Sequence, residues 1–218
     1  MPRQGIIESL QVGKPAAMRY GRQELYTGIN KEAVPGPLFL NELNLEGDGQ
    51  GDLKHHGGPD KAVCVYPYEH YAYWEKELNR KLEYGAFGEN VTASGLTESD
   101  VCLGDTYRLG RALVQVSQPR QPCFKLARKH DVPDLAQRVQ LTGLTGYYFR
   151  VLEKGEVSPG DAIMLVDRHP LQVTVEAANR IAYHEPDNRE GLLQLLEVKE
   201  LSKSWREWLR PRLEARDR

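Results

Sequence analysis

The sequence is poor in cysteine, with three thiols among its 218 residues: Cys64, Cys102 and Cys123. The number is odd, and no two of them stand in a CxxC pair. The sequence therefore does not predict a zinc ribbon or a thioredoxin-type motif. In a reducing compartment we expect all three to be free thiols.

The chain also lacks an excess of charge and a long apolar run. Its 29 lysines and arginines nearly balance 31 acidic residues, giving a net charge of -2. A general binder of nucleic acid or of anionic membranes is therefore not expected. No apolar run reaches the length needed to cross a bilayer, and the N-terminus has no hydrophobic region of a secretory signal. We expect a cytoplasmic protein.

Most of the first 170 residues predict β-structure. Short runs rich in Val, Ile, Leu and Tyr alternate with clusters of Gly, Pro, Asn and Asp. Tight connections are visible at Leu109-Gly110-Arg111 and at Ser158-Pro159-Gly160-Asp161. Many short strands joined by such turns predict a barrel or a sandwich. The predicted strands are 5–12, 24–31, 38–40, 62–66, 106–109, 112–117 and 162–167.

The C-terminal part predicts a small three-helix segment. Thr174 is expected to cap its first helix, Asp187 its second through a D-x-x-E capping box, and Ser202 to open its third. We therefore divide the chain into a β-domain, 1–168, and a helical segment, 169–218. Peripheral helices within the β-domain are predicted at 68–78, 125–129 and 134–140.

The stretch GDLKHHGGPDK, residues 51–61, is a glycine-rich turn crowded with donors. Glycines let backbone N–H groups approach a ligand closely, but the stretch lacks the pattern of a P-loop. Side chains of neighbours on an extended chain point to opposite faces, so at most one of His55 and His56 should face a given site. An ordinary polar loop is the alternative reading.

Two further stretches offer polar groups. The loop YGAFGENV presents Glu89 and Asn90, which could read the edge of a heterocycle, although Asn90 could equally satisfy its own turn. In the predicted strand 24–31, Thr27 and Lys31 share one face. A lysine inside the barrel would need an anionic partner, because burying an unpaired ammonium is costly. A strand-end lysine in water is the alternative.

The stretch SQPRQPCFK places a thiol in a stiff, basic segment. Pro119 and Pro122 each fix φ and remove an amide donor, and Arg120 and Lys125 flank Cys123. Nearby positive charge favours a thiolate, which can ligate thiophilic metals or attack electrophiles. The local sequence does not choose between these two roles. The other two cysteines stand in apolar runs, where a cysteine is usually a small hydrophobic residue.

Several motifs together resemble the MOSC-domain family. They are HHGGPDKAV, FGENV, GD at 104–105 followed by YRLG, PRQPC, and GD at 160–161. Their order and spacing, followed by three helices, resemble the stand-alone YiiM-like members of that family over nearly the full chain. The resemblance implies a mainly β fold, a MOSC-like β-barrel with peripheral helices, followed by the C-terminal three-helix segment.

The resemblance also implies a function and a set of site residues. MOSC domains bind molybdenum cofactor, a pterin dithiolene with a phosphate tail, and the cysteine thought to ligate the metal corresponds to Cys123. YiiM-like proteins reduce N-hydroxylated compounds such as 6-hydroxylaminopurine, with electrons from a separate flavin or iron-sulfur reductase. The implied cofactor contacts are Thr27, Lys31, His56, Glu89, Asn90, Arg120 and Lys125.

Two alternatives use the same thiol. One is a module that carries the cofactor, or sulfur as a persulfide on Cys123, to other enzymes. The other is a metal-free thiol enzyme with Cys123 as nucleophile and His56 or His130 as base. The C-terminal helices could pack on the barrel, mediate a homodimer or recognise the electron donor.

Overall fold

The computed structural model describes residues 4–20, 23–51 and 57–214, and over these ranges it contains twelve strands and six α-helices. No helix within these ranges is long and apolar enough to cross a membrane. The strands are β1 (Gln4–Val12), β2 (Ala16–Tyr20), β3 (Gln23–Thr27), β4 (Glu32–Val34), β5 (Leu38–Leu40), β6 (Val63–Pro67), β7 (Val91–Ser94), β8 (Thr106–Leu109), β9 (Ala112–Pro119), β10 (Tyr147–Glu153), β11 (Gly155–Val157) and β12 (Ala162–Asp167). The helices are α1 (Tyr71–Leu78), α2 (Phe124–His130), α3 (Leu135–Thr142), α4 (Val175–Tyr183), α5 (Arg189–Glu197) and α6 (Lys203–Glu214).

Seven strands close into a barrel in the order β1-β12-β8-β9-β10-β6-β7, with β7 pairing back to β1. All neighbours are antiparallel except β6 and β7, which run parallel. Strand β4 extends the sheet beside the second half of β1. Two small two-stranded sheets, β2–β3 and β5–β11, lie outside the barrel order. The predicted mainly β barrel is confirmed, and the alternative prediction of a sandwich is wrong.

The strands predicted over 38–40, 106–109 and 162–167 have the bounds of β5, β8 and β12, and turn residues explain the last two. Gly110, with φ of 54°, joins β8 to β9, and Gly160, with φ of 88°, precedes β12. Both are left-handed conformations that glycine adopts without a Cβ penalty. The strand predicted over 24–31 is wrong at its end, because β3 stops at Thr27, where its pairing with β2 ends.

The three C-terminal helices share the core of the barrel. Val175, Ile181, Trp205 and Leu209 are buried in the same hydrophobic cluster as the inward-facing barrel residues, so the segment is packed on the barrel. Burial of this apolar surface is what stabilises short helices such as these, which are marginal alone.

The cap of α4 is confirmed, because the hydroxyl of Thr174 accepts a hydrogen bond from the N–H of Ala177 at 3.0 Å. The predicted cap of α5 is wrong by one residue. Asn188, not Asp187, accepts a hydrogen bond from the N–H of Gly191, at 2.7 Å. An Asn side chain serves this position as well as Asp does.

Candidate functional site

A single cleft gathers most of the predicted site residues. It lies between the chain that follows β3, the loop before β7 and the segment that joins β9 to α2. It encloses about 610 Å³ of space free of protein atoms, its open mouth included. Its lining residues are Thr27, Gly28, Ile29, Lys31, Asp48, Gly49, Gln50, Gly51, Lys61, Cys64, Gly88, Asn90, Arg120, Gln121, Cys123, Lys125 and Tyr148.

Cys123 is half-buried in the cleft wall and immediately precedes α2. Its carbonyl accepts the N–H of Leu126 at 3.0 Å, which begins the helix. A second thiol, Cys64, also lines the cleft but is 4% exposed. Burial raises the pKa of Cys64 to about 11, although Arg120 opposes this. Cys64 is therefore a neutral thiol near neutral pH.

Arg120 is a buried cation with spare hydrogen-bonding capacity. The residue is 6% exposed, and its Nη2 donates to the carbonyl of Phe87. Its Nη1 is buried and has no hydrogen-bond partner among the residues that the structure describes. Burial disfavours the charged form of Arg120, but the negative charges that Cys64, Tyr148, Cys123 and Glu89 carry when ionised outweigh this effect, so the pKa of Arg120 lies above its ordinary value. An unpaired N–H of a buried guanidinium is costly unless a ligand accepts from it.

The two cleft lysines differ in their partners. Lys31 forms an ion pair with Asp48, which also accepts the N–H of Gly13 at 2.9 Å. The anionic partner that a buried Lys31 requires is thus supplied by the protein. Lys125 is 9% exposed, and no hydrogen bond or ion pair joins its ammonium to another residue in the described ranges. Lys125 is therefore the more available cation.

Asn90 and Thr27 line the cleft with their polar groups already engaged. The Asn90 side chain accepts the N–H of Cys64 at 3.1 Å and donates to Asp48 at 2.8 Å. The hydroxyl of Thr27 accepts the N–H of Ile29 at 3.3 Å. Both residues therefore shape the wall through bonds within the protein.

Glu89 is fully buried and does not line the cleft. Its carboxylate accepts the N–H groups of Gly85 and Phe87, both at 3.0 Å, and the hydroxyl groups of Tyr71 and Thr92. All four donors belong to the protein. The structure thus places Glu89 behind the loop, where it holds the loop's shape.

The same loop is bound from the other side by two cations and a histidine. Carbonyls of residues 85, 86 and 87 accept from Lys129, His130 and Arg120 in that order. The Nδ1 of His130 lies 2.6 Å from a guanidinium nitrogen of Arg80, which can only donate. Both ring nitrogens of His130 are therefore engaged, and neither can serve as a base for Cys123.

Lining residues that the sequence analysis did not propose as site members include Asp48, Gln50, Cys64, Gln121 and Tyr148. Gln121 lies in the stretch singled out for Cys123, and Lys61, which also lines the cleft, lies in the donor-rich stretch 51–61. Cys64 and Tyr148 lie on the barrel strands β6 and β10, Asp48 lies in the loop after β5, and no local motif marks these three. His55 and His56 lie outside the described residues.

Comparisons with known proteins cover nearly the whole chain. The family model of the MOSC domain matches residues 52–164, and the model of the YiiM-like, 3-alpha helix domain matches residues 173–216. Protein YiiM from Escherichia coli is 46% identical over 204 residues, which cover 92% of this chain and 86% of that protein.

A crystal structure of YiiM from Geobacillus stearothermophilus has a TM-score of 0.82 at 44% identity, covering 96% of this chain and 99% of that one. A protein from Gibberella moniliformis named Reductase is 34% identical over 171 residues, which cover 77% of this chain and 30% of that protein.

Proposed function

Because the chain belongs to the MOSC-domain family and carries its YiiM-like three-helix domain, we propose that it is an oxidoreductase that uses molybdenum cofactor to reduce N-hydroxylated compounds. The name of the Gibberella moniliformis relative, Reductase, supports the reaction class. The substrates are small molecules such as 6-hydroxylaminopurine, and the proposed role is their detoxification in the cytoplasm.

The observation that carries this proposal is the buried Nη1 of Arg120, which no described residue accepts from, in a cleft that also holds Cys123 and Lys125. A cleft with spare cationic donors fits an anionic ligand, and a cysteine thiolate is a ligand that soft metals prefer. The residues present therefore fit an anionic cofactor that carries a thiophilic metal.

Within this proposal, Cys123 would hold the metal, while Arg120 and Lys125 would neutralise the cofactor's negative charge. Lys31, already paired with Asp48, would contribute shape and hydrogen bonds more than net charge. When bound, the cofactor supplies two-electron oxygen-atom chemistry. Glu89 would support the site from behind the loop.

Conversion of an N-hydroxylated compound to amine and water consumes two electrons and two protons. The electrons would come from a separate flavin or iron-sulfur reductase. We propose no nucleic-acid or membrane partner, and a homodimer as the assembly to test.

Activity of Cys123→Ser tests the proposal, with 6-hydroxylaminopurine as substrate and an artificial electron donor. We expect activity to be lost while the melting temperature stays that of the wild type. Cys102→Ser is the matched control, because Cys102 is buried outside the cleft lining. Reduction by Cys123→Ser at the wild-type rate would show that the proposed mechanism is wrong. An extra sulfur on Cys123 in the intact mass, without molybdenum, would instead favour a sulfur carrier.

A further inference from the structure

The first turn of α6 forms hydrogen bonds with the end of β9, the strand that leads into the cleft. The buried hydroxyl of Ser202 donates to the side-chain carbonyl of Gln118 at 2.7 Å, and that of Ser204 donates to the same oxygen at 3.1 Å. The backbone N–H of Ser202 donates to the carbonyl of Ser117 at 2.9 Å. The end of β9 is thus tied to the helix by three hydrogen bonds.

Gln118 connects this helix end to the peptide before Arg120. It is fully buried, and its amide nitrogen donates to the carbonyl of Pro119 at 3.1 Å. That carbonyl belongs to the peptide that joins Pro119 to Arg120. The N–H of Arg120 in turn donates to the carbonyl of Gly146 at 3.0 Å. Both polar groups of the peptide that joins Pro119 to Arg120 are therefore fixed by hydrogen bonds.

The same helix turn also forms a hydrogen bond to a second segment of the cleft wall. The N–H of Lys203 donates to Oδ2 of Asp60 at 3.2 Å, and Arg150 donates to the other carboxylate oxygen at 3.0 Å. The carbonyl of Asp60 accepts the hydroxyl of Ser117 at 2.5 Å. The next residue, Lys61, lines the cleft. Two separate wall segments thus meet at one helix end.

We propose that the three-helix segment is a working part of the cleft, and that Ser202 and Ser204 are positioning residues for Arg120 and Cys123 although they contribute no lining atom. A buried amide whose oxygen and nitrogen both form hydrogen bonds, such as that of Gln118, has one favoured orientation, because a flipped amide would lose these bonds. The helix end therefore sets where the stiff segment between Pro119 and Cys123 begins.

Alkylation of Cys123 in the cofactor-free protein tests the proposal, with the labelled cysteine identified by peptide mapping. In the double variant Ser202→Ala/Ser204→Ala we expect the alkylation rate of Cys123 to change about fivefold, the size that follows from losing one or two buried hydrogen bonds. Cys102 is buried outside the cleft lining and serves as the internal reference. Its rate should not change, because only general loosening would expose it.

Two variants separate positioning from stability. Ser202→Ala also removes a helix cap, because the Ser202 hydroxyl accepts the N–H of Trp205 at 3.3 Å. Thr174→Ala removes the comparable cap of α4 without changing any contact of Gln118. Ser204→Ala loses a Gln118 contact without losing the Ser202 cap, and it decides the question alone if the double variant does not fold. Unchanged Cys123 rates, or a change equal to that of Thr174→Ala, would show that the helices only stabilise the barrel.

Molybdenum per chain in the same variants extends the test and rests on the proposed function. We expect the metal content to fall in Ser202→Ala/Ser204→Ala and to stay at the wild-type value in Thr174→Ala. A wild-type protein without molybdenum would overturn the proposed function, while the alkylation rates would still decide the positional claim.

Discussion

Lys31 and Asp48 form an ion pair inside the wall of the cleft, with side chains only 6% and 0% exposed. The two residues belong to different loops, since Lys31 follows β3 and Asp48 follows β5. Asp48 also binds Asn90 and the N–H of Gly13. The pair therefore joins three segments of the cleft.

Removing one member of this pair should lower the free energy of unfolding. In Asp48→Asn the ammonium of Lys31 stays buried without its counter-charge, and we expect the free energy of unfolding to fall by about 3–5 kcal/mol. Urea unfolding monitored by circular dichroism measures this change. Glu42→Gln is the matched control, because the Lys154–Glu42 pair is exposed at 52% and 71% and should contribute about 0–1 kcal/mol. Equal effects of the two substitutions would contradict the role given to Asp48.

The spare donor of Arg120 should be required for cofactor retention. Arg120→Lys keeps a positive charge but loses the second guanidinium nitrogen, so it cannot serve Phe87 and a ligand with the same fork geometry. We expect molybdenum per chain to fall about tenfold, since a hydrogen bond to a charged group contributes about 1.5–3 kcal/mol. Arg138→Lys, at a half-buried arginine that pairs with Glu77 and does not line the cleft, is the control. Wild-type metal content in Arg120→Lys would remove Arg120 from the site.

Lys129 should give stability a measurable dependence on alkaline pH. Burial, helped by the charges of Arg120 and Lys31, lowers the pKa of Lys129 from 10.5 to about 8, although Glu89 opposes the shift. Between pH 8 and 10.5 the unfolded chain holds this proton while the folded chain has released it. The unfolded state then binds more protons, so this residue's contribution to stability rises with pH through that window and is flat below pH 8.

Urea unfolding of wild type and Lys129→Gln at pH 7, 8, 9 and 10 isolates this contribution, because thiols and tyrosines titrate in both proteins. We expect the difference in free energy of unfolding, wild type minus variant, to grow with pH above 8. Lys81→Gln is the control at an exposed lysine that pairs with Glu75. A difference that stays constant or shrinks above pH 8 would contradict the lowered pKa of Lys129.

The fold was predictable from sequence where turns and alternation coincide. Strands β8 and β12 were predicted with their structural bounds because Gly110 and Gly160 mark their turns. Strand β10 was missed, because Tyr147, Tyr148 and Phe149 are buried in succession and show no alternation. A strand with neighbours on both sides and cover on both faces loses the period-2 signal.

The candidate site was predictable only where its residues are neighbours in the chain. Arg120, Cys123 and Lys125 lie within six residues and were read from their own stiff segment. Tyr148 reaches the cleft through barrel closure and Asp48 through the loop after β5, and no local pattern encodes either placement. The buried orientation of Glu89 was equally hidden, because it follows from the four donors that surround its carboxylate.

Molybdenum per chain, measured by elemental mass spectrometry, tests the central claim most directly. Wild type and Cys123→Ala would be purified from cells able to make molybdenum cofactor, with Cys102→Ala as a buried thiol control outside the cleft. The account predicts near-stoichiometric metal in wild type and in Cys102→Ala, and a large loss in Cys123→Ala. No metal in any of the three, or equal metal in all of them, would contradict the assignment of Cys123 as a metal ligand.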